Sequence, residues 1–491
     1  MFEAAELDQK VSKDEFHRQV GPIRSALLQV QGDCQAAKVP VIILVGGVDG
    51  AGKGETVNTL MEWFDPRGIR VYSMGDPTDE ERDRPKMWRY WRRSPAKGKM
   101  SIFLGSWYTM PIMDRAWKKN SKTSLETSIH EINAFEHTLA VDGSIILKFW
   151  LHLSKKSQHK RFERLEGDPL TEWRVNDQDW RNLEIYDRFR KISENVVRQT
   201  STAVAPWHVV DSEDANYRHL TVCRVIRDVL QERIAVLKNL PPRIKPTVPV
   251  LAPGEISVLG HLDQSRASKD DHYSEQLPRL QARLHKLSRR VGEKKRSVVV
   301  VFEGADAAGK GGAIRRITQA MDSRDYEVIP VAAPNETERQ YHYLWRFWIQ
   351  LPRIGRVTLF DRSWYGRVLV EPVEGFCSEE EWERAYAEIN DFEEELTRHG
   401  AIVVKFWIAI SKDEQLKRFK ERENVPFKQY KIGPEDWRNR EKWEQYEALV
   451  HRMVAQTSTS HAPWTLVEGN DKKHARIKCL DTLCRRIEES L

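Results

Sequence analysis

The stretch EGADAAGKGG, at positions 303–312, combines glycine spacing with a lysine as phosphate-binding loops do. It follows an apolar run at 297–302, and its portion 304–310 fits the pattern G-x-x-x-x-G-K, in which backbone N–H groups surround phosphate and lysine supplies charge. Two residues depart from that pattern. Gly311 replaces the serine or threonine whose hydroxyl would hold Mg²⁺, and Asp306 places a carboxylate inside the loop. The stretch therefore predicts phosphate chemistry of an unusual kind.

Charged residues also follow the apolar run at 356–360, beginning with Asp361 and Arg362 and continuing to Arg367. A carboxylate that ends an apolar strand beside a phosphate loop stands where a Mg²⁺ ligand is expected. Because the loop hydroxyl is absent, Asp306 and Asp361 together can serve the metal and the acceptor. The two arginines can then offset the charge of a highly anionic donor. The structural alternatives are a capping aspartate at a turn and a plain glycine turn beside a surface lysine.

A basic stretch runs from position 412 to 442 and is interrupted by the sequence ENVPF. In a phosphoryl-transfer enzyme, a basic helical hairpin at this point would form a lid that closes over phosphates and excludes water. The alternative is a solvated charged face of a helix. The cations concerned are Lys417, Arg418, Lys420, Arg422, Lys428 and Lys431.

The elements that must position these residues occur twice along the chain. GVDGAGKG at Gly47 matches GADAAGKG at Gly304, and the segments SWY, KFW, DWRN and APW recur with the same offset of 257 positions. Since no insertion separates these landmarks, we predict tandem copies of one domain. The proline-rich segment 241–254 predicts a stiff linker, which gives domains at 1–240 and 255–491.

Strands and helices are predicted to alternate within each copy. Ser378 with Glu381, and Ser411 with Glu414, are capping signals that begin two helices of the second copy. Alternating strands and helices predict an α/β fold in which helices flank a parallel sheet and ligands bind at the carboxyl ends of the strands. The predicted strands of the second copy lie at 297–302, 326–331, 356–360, 402–410 and 464–467.

Composition narrows the class of protein. The 491 residues are 40% hydrophobic and 31% charged, and no apolar run approaches the length of a membrane helix, so we expect no membrane partner. The five cysteines show no metal-ligand spacing, and their odd number argues against a disulfide framework. A cytoplasmic location is therefore expected. The net charge of +6 is modest, so local clusters of Lys and Arg indicate an anionic partner bound at defined sites.

Taken together, these motifs resemble those of the polyphosphate kinase 2 family. The resemblance rests on GADAAGKGG, on DRSWYGR at 361–367, on KFW followed by Lys412, and on APW followed by EGND, which ends at Asp471. The family is similar to thymidylate kinases, so the resemblance implies two tandem P-loop kinase-like domains, each with a helical lid. It also implies Mg²⁺-dependent transfer of phosphate between inorganic polyphosphate and nucleotides. Members with two fused copies are similar to enzymes that convert AMP into ADP.

The resemblance implies a role for each candidate residue. Lys310 would contact the transferred phosphate, Asp306 would lie near the accepting phosphate and its metal, and Asp361 would bind Mg²⁺. Transfer would be direct and in line, without a covalent nucleophile. The remaining residues assigned to phosphate are Gly304, Ala307, Gly309, Gly311, Arg362, Arg367, Arg418, Arg422, Lys428 and Lys431.

The two copies are not equivalent. The first keeps four loop residues, namely Gly47, Asp49, Gly52 and Lys53. It has lost the charged residues that should surround the loop, because Leu104, Gly105, Met110 and Thr171 stand in place of Asp361, Arg362, Arg367 and Lys428. We therefore predict that only the second copy catalyses. The retained first loop either binds an anion or supports the fold.

Three alternatives remain open from the residues themselves. The acceptor could be a nucleoside diphosphate, with ADP or GDP converted to ATP or GTP. The donor could be ATP, as in ordinary nucleotide kinases. A noncatalytic protein could also use the basic helices and the 17 tryptophans to bind polyanions, with salt-sensitive binding. We expect no nucleic-acid partner, and assembly into a homo-oligomer is left open.

Overall fold

The computed structural model describes residues 1–239, 241, 243–252, 255–426, 429 and 432–491. The chain divides into two compact units, each built around one sheet. The first unit comprises Met1–Asp76, Arg89–Pro241 and Arg339–His342. The second unit comprises Pro77–Trp88, Pro242–Glu338 and Tyr343–Leu491.

Both sheets consist of parallel strands in the same order. The strands of the first sheet are β1 (Val41–Gly47), β2 (Ile69–Ser73), β3 (Met100–Leu104), β4 (Ile145–His152) and β5 (Trp207–Asp211). Those of the second are β6 (Ser297–Gly304), β7 (Tyr326–Pro330), β8 (Val357–Asp361), β9 (Ala401–Ala409) and β10 (Trp464–Glu468). Within the described residues the orders are β2-β3-β1-β4-β5 and β7-β8-β6-β9-β10. The predicted parallel α/β fold and its repetition are confirmed.

Helices lie between the strands. In the first half of the chain they are α1 (Lys13–Ala36), α2 (Lys53–Trp63), α3 (Asp79–Arg82), α4 (Trp88–Trp91), α5 (Thr109–Ala116), α6 (Lys122–Val141), α7 (Lys155–Glu166), α8 (Asp177–Glu184), α9 (Tyr186–Thr200) and α10 (Ala215–Lys238). In the second half they are α11 (Asp270–Glu293), α12 (Lys310–Thr318), α13 (Trp345–Trp348), α14 (Val370–Glu374), α15 (Glu379–Arg398), α16 (Lys412–Asn424), α17 (Pro434–Glu441), α18 (Trp443–Thr457) and α19 (Lys472–Ser490). Short 3₁₀ helices span Phe2–Ala5, Pro66–Gly68, Glu172–Arg174, Glu338–Gln340 and Trp364–Val368.

Local sequence accounts for where these elements begin. Ser378 and Glu381 form the predicted capping box at the start of α15, and the Ser411 side chain accepts from the N–H of Glu414 at the start of α16. Strand β6 is buried on both faces, as its unbroken apolar run predicts. Among the residues that the structure describes, no helix is both long and apolar enough to span a bilayer.

A buried ion pair connects the sheet to a helix in each unit. In the second unit, Lys405 on β9 donates to Glu393 on α15 at 2.6 Å and to the hydroxyl of Tyr365 at 2.8 Å. In the first unit, Lys148 donates to Glu136 at 2.6 Å and to the hydroxyl of Tyr108 at 3.0 Å. Burial raises the pKa of Glu393, although the charge of Lys405 opposes that shift. The SWY and KFW repeats thus supply the tyrosine and the lysine of a buried hydrogen-bond network that stabilises each unit.

We expect Lys405→Met to lower the stability of the second unit by about 3 kcal/mol, because it leaves Glu393 buried without its cation. Differential scanning calorimetry should show a lower melting temperature for the unfolding transition of that unit. The double variant Lys405→Met with Glu393→Leu should recover part of the loss, since it removes the uncompensated group. Equal losses in the single and double variants would contradict this account of the pair.

Candidate active site

The phosphate loop (residues 304–310) connects β6 to α12 through left-handed backbone. Gly304, Ala307 and Gly309 have φ of +148°, +64° and +112°. A Cβ on Gly304 would lie 2.4 Å from the carbonyl oxygen of Ile408, so glycine is required where the loop leaves the sheet. Gly309 is the N-cap of α12, whose first N–H groups have no partner within the helix and can therefore bind an anion. Gly311 adjoins open space.

Asp306 is held by two side chains that are distant in sequence. Its Oδ1 accepts from Arg362 Nη2 at 2.8 Å, and its Oδ2 accepts from Asn439 Nδ2 at 2.9 Å. Only 12% of the Asp306 side chain is exposed. The guanidinium of Arg362 therefore offsets the negative charge that Asp306 brings into the loop.

Lys310 bends back over the phosphate loop. Its Nζ donates to the carbonyl oxygens of Gly304 at 2.7 Å and Ala305 at 3.3 Å. Desolvation lowers the pKa of Lys310, while the nearby charges of Asp306 and Asp361 act in the opposite direction. Asp361 ends β8, opposite Phe302 on β6. Among the candidate catalytic residues, the structure thus brings together Asp306, Lys310, Asp361 and Arg362.

Arg367 does not join that group. Its Nη1 pairs with Glu371 at 3.0 Å, and its guanidinium carbon lies 4.4 Å above the ring of Tyr343. Burial alone would lower the pKa of Arg367, but the neighbouring acidic groups, Glu371 foremost among them, together raise it. These contacts engage Arg367 with residues outside the phosphate loop, and its assignment to the charge of the anionic donor stays a prediction.

Arg418 lies against the phosphate loop and not on an open lid. Its Nη1 donates to the carbonyl oxygens of Ala307 at 2.9 Å and Ala308 at 3.0 Å, and its Nη2 donates to those of Gly469 at 2.7 Å and Asn470 at 2.9 Å. Its Nε donates to Glu414 at 2.7 Å. Because all five N–H groups are engaged, Arg418 holds the loop in place.

The phosphate loop borders two cavities within the described part of the second unit. The aromatic cavity, about 290 Å³, contains residues 304–306 of the loop and Arg362 in its wall. Its apolar walls come from Leu259, Leu369, Val370, Trp407, Ile410, Trp443, Tyr446 and Val450. The cationic cavity, about 250 Å³, contains loop residues 307–309 and the charged side chains of Arg418, Glu421, Arg422, Lys472 and Arg476.

Of the lid candidates, Arg422 therefore lies where an anion could reach it. Lys428 and Lys431 lie outside the described residues, and nothing follows for them. Lys472 and Arg476, both on α19, were not among the predicted site residues. No local motif marks them, because α19 is a helix with many basic residues along its length.

Two further residues escaped the sequence prediction. Asn439 is the last residue of the repeated DWRN segment. The equivalent residue in the first copy, Asn182, donates to Asp49 at 2.9 Å in the same way. The repeat was thus a signal for this contact. Glu303 is buried and accepts from Ser363 Oγ at 2.8 Å, and burial raises its pKa.

In the first unit, the residues around the corresponding loop are arranged differently. Lys53 Nζ donates to Asp49 Oδ1 at 3.1 Å, as well as to two loop carbonyls. Gly105 occupies the position of Arg362 and cannot neutralise the aspartate. The lysine ammonium is therefore paired with a carboxylate of its own loop.

Comparisons with known proteins show which family the chain belongs to. The family model of polyphosphate kinase 2 (PPK2) matches residues 10–236 and 267–491. A polyphosphate:AMP phosphotransferase of Pseudomonas aeruginosa is 50% identical over 99% of both chains, and one of Pseudomonas syringae is 48% identical over 100% of this chain and 99% of the relative. A crystal structure of a polyphosphate kinase 2 from P. aeruginosa PA01 superposes with a TM-score of 0.89 at 48% identity, covering 100% of this chain and 99% of that one. The chain belongs to the polyphosphate kinase 2 family, with two tandem copies of the family domain.

Proposed function

We propose that the protein transfers the terminal phosphate of inorganic polyphosphate to AMP and thereby forms ADP, and that transfer occurs in the second unit. Relatives named for this reaction are similar over nearly their whole length. The structural observation that carries the proposal is that the phosphate loop separates two cavities of different chemistry. One cavity suits a nucleotide and the other suits a donor made only of phosphate.

The aromatic cavity fits the acceptor. Trp407, Trp443 and Tyr446 offer apolar surface for a base and ribose, while Arg362 provides a cation for the phosphate of AMP. Residues 259, 260 and 264 also line this cavity, and Gln264 Nε2 donates to the carbonyl oxygen of Ala409 at 3.2 Å. The segment that follows the linker thus contributes to the acceptor wall.

The cationic cavity fits the donor. Among its described lining residues there are four cations and one carboxylate, and none of these residues is aromatic. Gly312, Ala313 and Ala475 leave room close to the start of α12, where backbone N–H groups favour phosphate. A polyanion gains from such a row of cations, whereas ATP would need a surface for its adenine. This difference favours polyphosphate over ATP as donor.

Mg²⁺ belongs to the proposal as well. The described residues contain no cluster of three or more acidic, His or Cys side chains that could enclose a metal. Mg²⁺ bound with substrate phosphates commonly uses only one or two carboxylates, so Asp361 fits as a protein ligand, and Asp306 would join it through a second lone pair of an oxygen that accepts from Arg362 or Asn439. Bound there, Mg²⁺ would supply charge neutralisation between the two phosphates.

The side chains then act mainly by positioning and by charge. Lys310 and Arg362 compensate the charge of the reacting phosphates, and Arg418 keeps the loop in shape. An oxygen of the AMP phosphate forms a bond to the terminal phosphorus as the bond from that phosphorus to the next phosphate breaks. The shortened polyphosphate leaves with the electron pair. A cytoplasmic location is part of the proposal, supported by five buried cysteines with free thiols.

With polyphosphate and Mg²⁺ present, we expect AMP to be converted to ADP faster than ADP is converted to ATP. Purified protein should be assayed with AMP, ADP, GMP or GDP, and the nucleotide products separated by chromatography. ATP supplied in place of polyphosphate serves as the control for an ordinary kinase. Product formed from ADP while AMP stays inert would contradict the proposed acceptor.

Lys310→Ala and Asp361→Asn should each lower kcat by roughly 10³-fold, because each removes a group that compensates or organises charge in the transition state. Lys53→Ala, the matched change in the first unit, should alter turnover by less than about threefold on the same reasoning. Circular dichroism should establish that all three variants are folded. Equally severe losses in Lys53→Ala and Lys310→Ala would contradict catalysis by the second unit alone.

Arg418→Ala and Arg422→Ala should change different kinetic parameters. Loss of Arg418 leaves four backbone carbonyls without a donor, so we expect kcat to fall at least about tenfold and thermal stability to drop. Loss of Arg422 should mainly raise KM for polyphosphate and leave KM for AMP unchanged. Steady-state kinetics with each substrate varied would separate the two. A purely polyphosphate-dependent effect of Arg418→Ala would contradict its assignment to the loop.

A further inference from the structure

The first unit fills the place that corresponds to the cationic cavity. In the second unit, Gly312 and Ala475 line that cavity with almost no side chain. At the offset of 257 positions, the first unit has Glu55 and Arg218 instead. Both substitutions add a long charged side chain beside the start of α2.

These side chains belong to an ionic cluster in which Arg218 is buried, whereas Glu55 and Arg174 are partly exposed. Glu55 Oε2 lies 2.7 Å from Arg218 Nη2 and 3.2 Å from Arg161 Nη2, and Glu55 Oε1 lies 3.1 Å from Arg174 Nη1. The Arg218 side chain is fully buried. Burial alone would raise the pKa of Glu55, but the charges of Arg161, Arg218 and Arg174 and the hydrogen bond from Arg218 together lower it and keep the carboxylate ionised. Three guanidinium groups around one oxyanion form the kind of arrangement that binds phosphate.

The cluster also takes up the space at the loop. A Cβ on Gly52 would lie 2.3 Å from the guanidinium carbon of Arg218, so this side chain packs directly on the loop. At the matching Gly309, the nearest atom to such a Cβ is Arg418 Nη1 at 4.0 Å. Glu55 lies in the first turn of α2, where a negative charge is favoured by the helix N-terminus. The protein's own carboxylate therefore stands where an anion would otherwise bind.

The first unit has also lost three of the four cations that line the cationic cavity, and keeps only Arg161 at the position of Arg418. Leu165, Ala215 and His219 stand at the positions of Arg422, Lys472 and Arg476. Desolvation and the charge of Arg218 lower the pKa of His219 to about 4, so His219 is neutral near pH 7 and does not replace the missing arginine. The carboxylate of Glu55 already has three arginine partners. An external polyphosphate would have to displace it from them, and would not gain the contacts that Arg422, Lys472 and Arg476 offer in the second unit.

We propose that Glu55 is a built-in anion that occupies the phosphate position of the first loop and keeps polyphosphate out of that copy. The protein then has one polyphosphate site per chain, in the second unit. This inference rests on the proposed function only in taking polyphosphate as the external anion that Glu55 excludes. It also predicts a latent oxyanion site, formed by Arg161, Arg174 and Arg218, that opens when the carboxylate is removed.

Isothermal titration calorimetry with inorganic tripolyphosphate tests the inference on the full chain. Wild type should bind one tripolyphosphate per chain, and Glu55→Gly, which copies Gly312, should bind two. Glu55→Gly combined with Arg218→Ala should return to one, which locates the added site. Circular dichroism establishes folding, and tripolyphosphate should raise the melting temperature of Glu55→Gly more than that of wild type.

The reciprocal variant, Gly312→Glu, tests the same idea in the second unit. A Cβ there would first meet the flexible guanidinium of Arg476 at 3.4 Å, so the side chain can be accommodated. KM for polyphosphate should rise at least tenfold while KM for AMP stays unchanged. If Glu55→Gly does not fold, the inference is tested by Gly312→Glu alone. An unchanged KM for polyphosphate in that variant overturns the inference.

The outcomes separate the inference from the proposed function. Two tripolyphosphate sites in wild type, or one site in a folded Glu55→Gly variant, would overturn the role of Glu55. No tripolyphosphate binding in wild type, together with no polyphosphate-dependent product, would instead overturn the proposed function.

Discussion

The carboxylate of Asp306, inside a loop whose proposed ligand is phosphate, is the constraint on which the rest of the site depends. Arg362 neutralises it from a left-handed backbone position, with φ of +64°. In the first unit this position is Gly105, with φ of +74°. The same turn is thus retained in both units, but only the second unit places a side chain there, where a non-glycine residue is disfavoured.

The source of the neutralising charge determines what the loop lysine can do. Where Arg362 pairs with Asp306, the Lys310 ammonium donates, among the described residues, to two backbone carbonyls and can turn toward phosphate. Where glycine replaces the arginine, Lys53 pairs with Asp49 itself. One substitution therefore changes the state of the lysine in the first loop, and the Glu55 cluster then occupies the neighbouring anion position.

The two units have kept their interior and changed their surface chemistry. The buried pair of lysine and glutamate, with its tyrosine, has nearly the same distances in both units because loss of either partner would leave a charge in the core. Residues at the carboxyl edge of the sheet carry no such penalty. A duplicated domain can therefore lose its catalytic groups and remain folded.

The sequence by itself determined the repeat, the parallel α/β fold, the phosphate loop and the loss of Asp361 and Arg362 equivalents from the first copy. These follow from local spacing and from side-chain type, which are visible along the chain. Tertiary structure decided which charged residues face a ligand. Arg418 is saturated by loop carbonyls, Arg367 pairs with Glu371, and Arg476 lines a cavity, although all three are arginines on or near helices. Their partners lie far away in sequence or on another element, and a guanidinium's task depends on which acceptors the fold brings within hydrogen-bonding distance.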